Sequence, residues 1–180
     1  MIKLYKQHGT MLHYWEAWID DKQVATHQGI VGNRGDLKYV KPGLLSNHEK
    51  LIDKLSAKPR KDGFGQIEIE GHWMLTIQQQ MTGDDNADLD HRNNLIEELD
   101  NMLGWIGSGH VDGGDIGSGT VNVFAYIVAP DQTSPVVLEW LRETGELTKS
   151  IVALDNPDES KPTSVIWPED FEGQFNTLGS

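Results

Sequence analysis

The sequence predicts a two-domain α+β protein, and three observations carry that reading. A chain of 180 residues is long for one small domain and leaves each part room for a modest core. Runs with the two-residue alternation of strands interleave with stretches whose apolar residues recur at helical spacing. Charge also divides sharply near residue 65. Residues 1–65 hold eleven Lys/Arg against seven Asp/Glu, whereas residues 66–180 hold four against twenty-one. Such asymmetry is a domain-level signal and sets the expected domains at 1–65 and 66–180.

The first domain opens with a strand over residues 2–7. Residues 13–19, rich in aromatic and β-branched side chains, read as a second strand. A polar turn at 20–22 leads to a return strand over 23–31. Gly32-Asn33-Arg34-Gly35 is a tight turn, because Gly and Asn tolerate positive φ. Residues 37–40 form a further strand, broken by Pro42-Gly43. Ser46 and Glu49 have the spacing of a capping box for a helix whose apolar face is Leu51, Ile52 and Leu55. Pro59 lies just beyond its end, in a basic, flexible stretch over 58–63.

In the second domain, residues 67–81 are extended, with Gly71 as a bulge and Trp73, Leu75 and Ile77 on one face. Residues 82–90 read as an acidic loop. Leu95, Ile96, Leu99, Met102 and Leu103 predict a helix over 91–104, with Asp88 or Asp90 to cap it. A strand over 105–111, a glycine-rich turn over 112–119 and a strong strand over 121–128 follow. A helix over 131–146, capped by Asp131, and a closing strand over 150–154 complete the pattern. Trp167, Phe171 and Phe175 are expected to pin the tail to the body. The order β-α-β-β-α-β over 67–154 is that of a ferredoxin-like sandwich, with two helices on one face of an antiparallel sheet.

Tyr14-Trp15-Glu16 on one strand, then Gly29-Ile30-Val31-Gly32-Asn33-Arg34-Gly35, the helix at 46–58 and Lys61-Asp62-Gly63-Phe64 together resemble a WGR domain. The resemblance covers about the first third of the chain. It implies an antiparallel sheet with one helix. WGR domains occur in some poly(ADP-ribose) polymerases and bacterial regulatory proteins, where they are associated with nucleic-acid binding. At the family's Trp-Gly-Arg triplet this chain has Gln28-Gly29-Ile30, so only the glycine is kept. Trp stacks on sugar or base and Arg forks onto phosphate, whereas Gln and Ile do neither well. The resemblance implies a retained scaffold, with Arg34, Lys38, Lys41, Arg60 and Lys61 left to contact phosphate.

The chain has no cysteine, which excludes disulfides, thiolate nucleophiles and Cys-type zinc sites. No catalytic set and no cofactor motif emerges. His110 and Asp112 alternate on one strand and Asp115 follows in the turn, so an imidazole and two carboxylates could hold a divalent metal. The competing reading is a hairpin loop whose aspartates make turn hydrogen bonds. Asp84, Asp85, Asp88 and Asp90 offer a docking face to a basic protein partner, or serve a solvated loop that caps a helix. No stretch approaches the roughly 18 apolar residues of a membrane span, and the N-terminus lacks a signal-peptide core, so a cytoplasmic protein with no membrane partner is expected. These readings converge on a non-enzymatic interaction protein. A bacterial immunity protein that neutralises a basic toxin or effector fits them, because charge complementarity speeds association. The rivals are a nucleic-acid-binding or regulatory protein acting through residues 1–65, and a metal-dependent hydrolase centred on His110, Asp112 and Asp115.

Overall fold

Alternating strand patterns in the first forty residues fold into an antiparallel meander. In the computed structural model, which describes residues 1–43, 47–173 and 175, the strands are β1 (Ile2–His8), β2 (Met11–Asp20), β3 (Gln23–Ile30) and β4 (Asp36–Val40). They lie in sequence order in one sheet, followed by helix α1 (His48–Lys61). Leu4, Trp15, Gln28 and Asp36 sit directly opposite one another across the four strands. That register sends Leu4, Trp15, Ala17 and Val24 to one face, where Leu51 of α1 joins them in the core. Ile52, Leu55 and Phe64 pack against the same cluster. Gly65 closes the unit by exchanging backbone hydrogen bonds with Tyr5 at 2.7 and 2.9 Å.

Ser46, expected to cap α1, lies outside the described residues. The observed cap is Asn47, whose side chain accepts from the Lys50 amide at 2.9 Å. The helix also runs past Pro59 to Lys61 rather than stopping short of it. Its final carbonyls still find donors: Lys58 O accepts from Asp62 N, Pro59 O from Phe64 N and Arg60 O from Gly63 N.

The chain divides into two compact units, one of Met1–Glu68 with Trp105–Gly107, the other beginning at Ile69–Gly104 and resuming at Ser108. The second contains β5 (Trp73–Gln80), α2 (Asp85–Trp105, all but its last residue), β6 (Gly109–Gly117), β7 (Thr120–Ile127), α3 (Pro130–Glu143), β8 (Ser150–Asp155) and β9 (Ser164–Trp167). Its sheet is antiparallel throughout, in the order β6-β7-β5-β8-β9. Leu75, Ile77, Val121, Val123, Ala125, Val152 and Leu154 share one face. Gly114 shares it too, and a side chain there would meet Ile96 and Arg92, which places α2 on that face. Among the described residues the fold is therefore mixed α+β, with two antiparallel sheets and three α-helices.

Several local expectations are corrected. Residues 82–90 are not a loop, since α2 starts at Asp85. Asp84 accepts from the Asn86 and Ala87 amides, donors that a helix start leaves open, and Asp88 accepts from the Thr82 and Gly83 amides that lead into the helix. Trp105 ends α2 instead of opening a strand, and β6 begins only at Gly109, beyond a left-handed Gly107 at φ 66°. Most of the expected turn at 112–119 is strand, with Ser118 and Gly119 alone forming the reversal. Asp131 does not cap α3: the capping residue is Ala129, with Pro130 supplying the preset φ of a first helical turn. Gly71 ends a short 3₁₀ turn rather than forming a bulge. The tail adds a fifth strand, and the Trp167 indole donates to Leu147 O at 2.9 Å. No described helix is long and apolar enough to cross a membrane.

Candidate functional site

On the sheet face of the first unit opposite α1, three alternating positions bring polar side chains together. Tyr14 and Glu16 are two apart on β2 and share a face, and His27 on β3 lies directly opposite Glu16. The Tyr14 hydroxyl lies 3.0 Å from His27 Nε2, and His27 Nδ1 lies 2.8 Å from Glu16 Oε1. Lys3 Nζ reaches the other Glu16 oxygen at 3.4 Å. One imidazole tautomer satisfies all these groups, with Nδ1–H donating to Glu16 and Nε2 accepting from Tyr14. Trp18 and Trp105 present T-shaped contacts to the His27 ring, and the Arg34 guanidinium stacks on Trp105 at 4.6 Å. His27 is 0 % exposed and Tyr14 1 %.

The glycines around Tyr14 serve its ring. A side chain on Gly29 would crowd the Tyr14 ring and hydroxyl at 3.1 Å, and one on Gly35 or Gly107 would overlap Tyr14 outright. Burial, reinforced by the negative charge of Glu16, raises the Tyr14 phenol well above its ordinary value. It stays protonated at neutral pH and acts as a donor. With its ring held among three glycines and its hydroxyl against His27, Tyr14 ties β2 to β3 and braces the sheet.

Beside it, between the end of α1 and the sheet, opens a cleft of about 510 Å³. Trp15, Gln28 and Asp36 form one register row along it, and Lys58, Asp62 and Phe64 face them. Lys58 is paired with Asp62, and Lys6 Nζ donates to Asp62 O at 2.5 Å. The bond from Lys58 draws the Asp62 carboxyl below its ordinary range.

In the second unit, Gln79 organises a polar knot. Its amide donates to Glu146 Oε2 at 3.1 Å and to Ser150 Oγ at 2.9 Å, and its carbonyl oxygen lies 2.6 Å from His91 Nε2. The Ser150 hydroxyl donates to Glu146 O. The imidazole nitrogen therefore lies against Gln79, with Glu146 Oε2 3.6 Å away, rather than against the serine. A groove of about 730 Å³ runs along α2. Ile96 and Val111 give it apolar patches, and its charged residues are Glu97, Glu98 and Asp100, with no Lys or Arg among its lining.

The residues singled out from sequence are dispersed. Asp84, Asp85 and Asp90 are exposed, whereas Asp88 is 2 % exposed and holds Thr82 and Gly83. The bond from the Thr82 amide is the main reason its carboxyl falls below the usual range. Arg34, Lys38, Lys41, Arg60 and Lys61 are all exposed. His110, Asp112 and Asp115 do not converge. The register of β6 slips between Val111 and Gly113, making Asp112 the extra residue of a bulge. His110 pairs with Tyr126 and Asp115 with Asn122, roughly 13 Å apart along the strand. Asp115 accepts from the Asn122 amide at 2.7 Å. Among the described residues no three His, Asp or Glu side chains form a metal site. Sequence reasoning missed both polar networks. Tyr14 and Glu16 at i, i+2 were a visible signal, but the strand register that adds His27 was not. No protein-family model, no curated protein and no solved structure matches the chain.

Proposed function

We propose that this is a non-enzymatic interaction protein whose second unit binds a basic protein partner. The observation that carries the reading is the groove on α2, whose charged lining is entirely acidic. It belongs to a segment, residues 66–180, with four Lys/Arg against twenty-one Asp/Glu. Apolar Ile96 and Val111 beside Glu97 and Glu98 suit a partner that brings both contact area and positive charge. A field of one sign also steers a basic protein into encounter, as an immunity protein acting on a basic toxin or effector in the cytoplasm requires. The proposed surface differs from the one centred on Asp84, Asp85, Asp88 and Asp90, since Asp88 is spent inside the fold.

Two finer fold readings belong to the same proposal. A ferredoxin-like sandwich for the second unit is supported by the β6-β7-β5-β8 order and by its two crossing helices, with β9 as an addition. A WGR-like first unit is supported by the four-stranded sheet, the single helix and the Gly63-Phe64-Gly65 return.

The test is capture from the native lysate by the tagged full chain and by a Glu97→Lys, Glu98→Lys variant, each with and without nuclease. The expected result is a stoichiometric basic protein held by the parent and lost, or slowed about tenfold in association, with the variant. Equal retention by both chains, or retention that vanishes with nuclease, would overturn the reading. The second result would instead favour nucleic-acid binding through Arg34, Lys38, Lys41, Arg60 and Lys61.

A further inference from the structure

Among the described residues, the cleft of the first unit is lined by one carboxylate, Asp36, that joins no ion pair. Of the charged residues that line it, Lys58 and Asp62 hold each other, and Lys6 reaches Asp62 as well. Asp36 is exposed, and Gln28, directly opposite it on β3, is exposed too. Residues paired in this way hold their Cβ atoms roughly 4.5–5.5 Å apart, so a carboxylate and an amide oxygen stand side by side as acceptors. Trp15 continues the same row, and Phe64 supplies a second aromatic wall.

We propose that this cleft binds a guanidinium group, the side chain of an arginine presented by a protein or peptide partner. Two adjacent acceptors match the forked donors of a guanidinium, and aromatic walls favour a flat, weakly hydrated cation over a compact ammonium. An anion would meet the Asp36 carboxylate, and Lys58 is already held by the Asp62 carboxylate, while Lys6 donates to the Asp62 backbone carbonyl. The site lies in the first unit and does not depend on the acidic groove of α2. Failure of one leaves the other standing.

The test titrates the isotopically labelled full chain with N-acetyl-arginine amide and follows the Gly29 and Asp36 amides and the Trp15 indole by NMR. Parallel titrations use the citrulline, lysine and inorganic phosphate counterparts. A ligand this small is expected to bind with a Kd of about 1–10 mM. Arginine should shift these signals, lysine should bind several-fold more weakly, and citrulline and phosphate should leave them unmoved. Asp36→Asn should weaken arginine binding about tenfold, the usual scale for losing a charge-assisted hydrogen bond. Lys58→Met should strengthen it, because Asp62 is then released to the cleft. The opposite signs of these variants separate a binding role from misfolding. Equal binding of citrulline or lysine, binding of phosphate, or weaker arginine binding by Lys58→Met would each overturn the proposal.

Discussion

Replacing Tyr14 with Phe removes one oxygen atom from the centre of the first unit and leaves the ring in its glycine cradle. His27 Nε2, whose residue is 0 % exposed, then loses the hydroxyl at 3.0 Å. His27 Nδ1 keeps Glu16 at 2.8 Å, and Glu16 keeps Lys3, so the main damage is the stranded His27 nitrogen, with a long 3.5 Å bond to Asn33 O lost beside it. Leaving a buried polar group unsatisfied costs about 1–3 kcal/mol, and the hydrophobic gain from deleting a hydroxyl offsets only part of it. We expect Tyr14→Phe to lower the unfolding free energy by about 2 kcal/mol. Urea unfolding at pH 7, followed by tryptophan fluorescence, reads it directly, because Trp18 and Trp105 lie 6.3 and 5.4 Å from the His27 ring. Tyr39→Phe is the control: that ring is 51 % exposed, and its loss should stay within about 0.5 kcal/mol. A Tyr14→Phe effect as small as the control would refute the claim that Tyr14 satisfies a buried imidazole.

Gly35→Ala should destabilise the first unit by about 2 kcal/mol or more, since the new methyl overlaps both the Tyr14 hydroxyl and the Gln28 carbonyl; a neutral urea midpoint would show that the cradle yields. Asp88 has a folded-state value below its unfolded one, so its stabilisation is present above the unfolded value and is lost as pH falls through the folded value. Asp88→Asn should therefore lower the urea midpoint at pH 7, with the gap to the parent closing below about pH 4; an unchanged gap at about pH 2 would show that its charge plays no part. Calcium, magnesium or zinc should leave the melting temperature of the full chain unmoved, because His110, Asp112 and Asp115 diverge; a rise with metal concentration that Asp112→Ala abolishes would contradict this.

Features that depend only on neighbouring residues are legible in the sequence. Strand runs such as 13–19 and 121–128, helical spacing at Leu95, Leu99 and Leu103, the absence of cysteine and the division of charge are all properties of short windows or of counts. The errors were also local: acids at 84–88 read as a loop because side chains that solvate a loop are the same ones that start a helix. Tertiary structure decided everything that depends on register. His27 meets Tyr14 and Glu16 from 13 and 11 residues away, and Gln79 meets Glu146 and Ser150 from 67 and 71 away. Such pairings follow from which face each strand buries, and a slip of one residue reverses every side chain. The bulge at Asp112 is that slip in miniature: it broke the alternation on which the His110, Asp112 and Asp115 metal site rested. The cleft at Gln28 and Asp36 has the same origin, since two unremarkable polar residues become neighbours only once β3 and β4 pair.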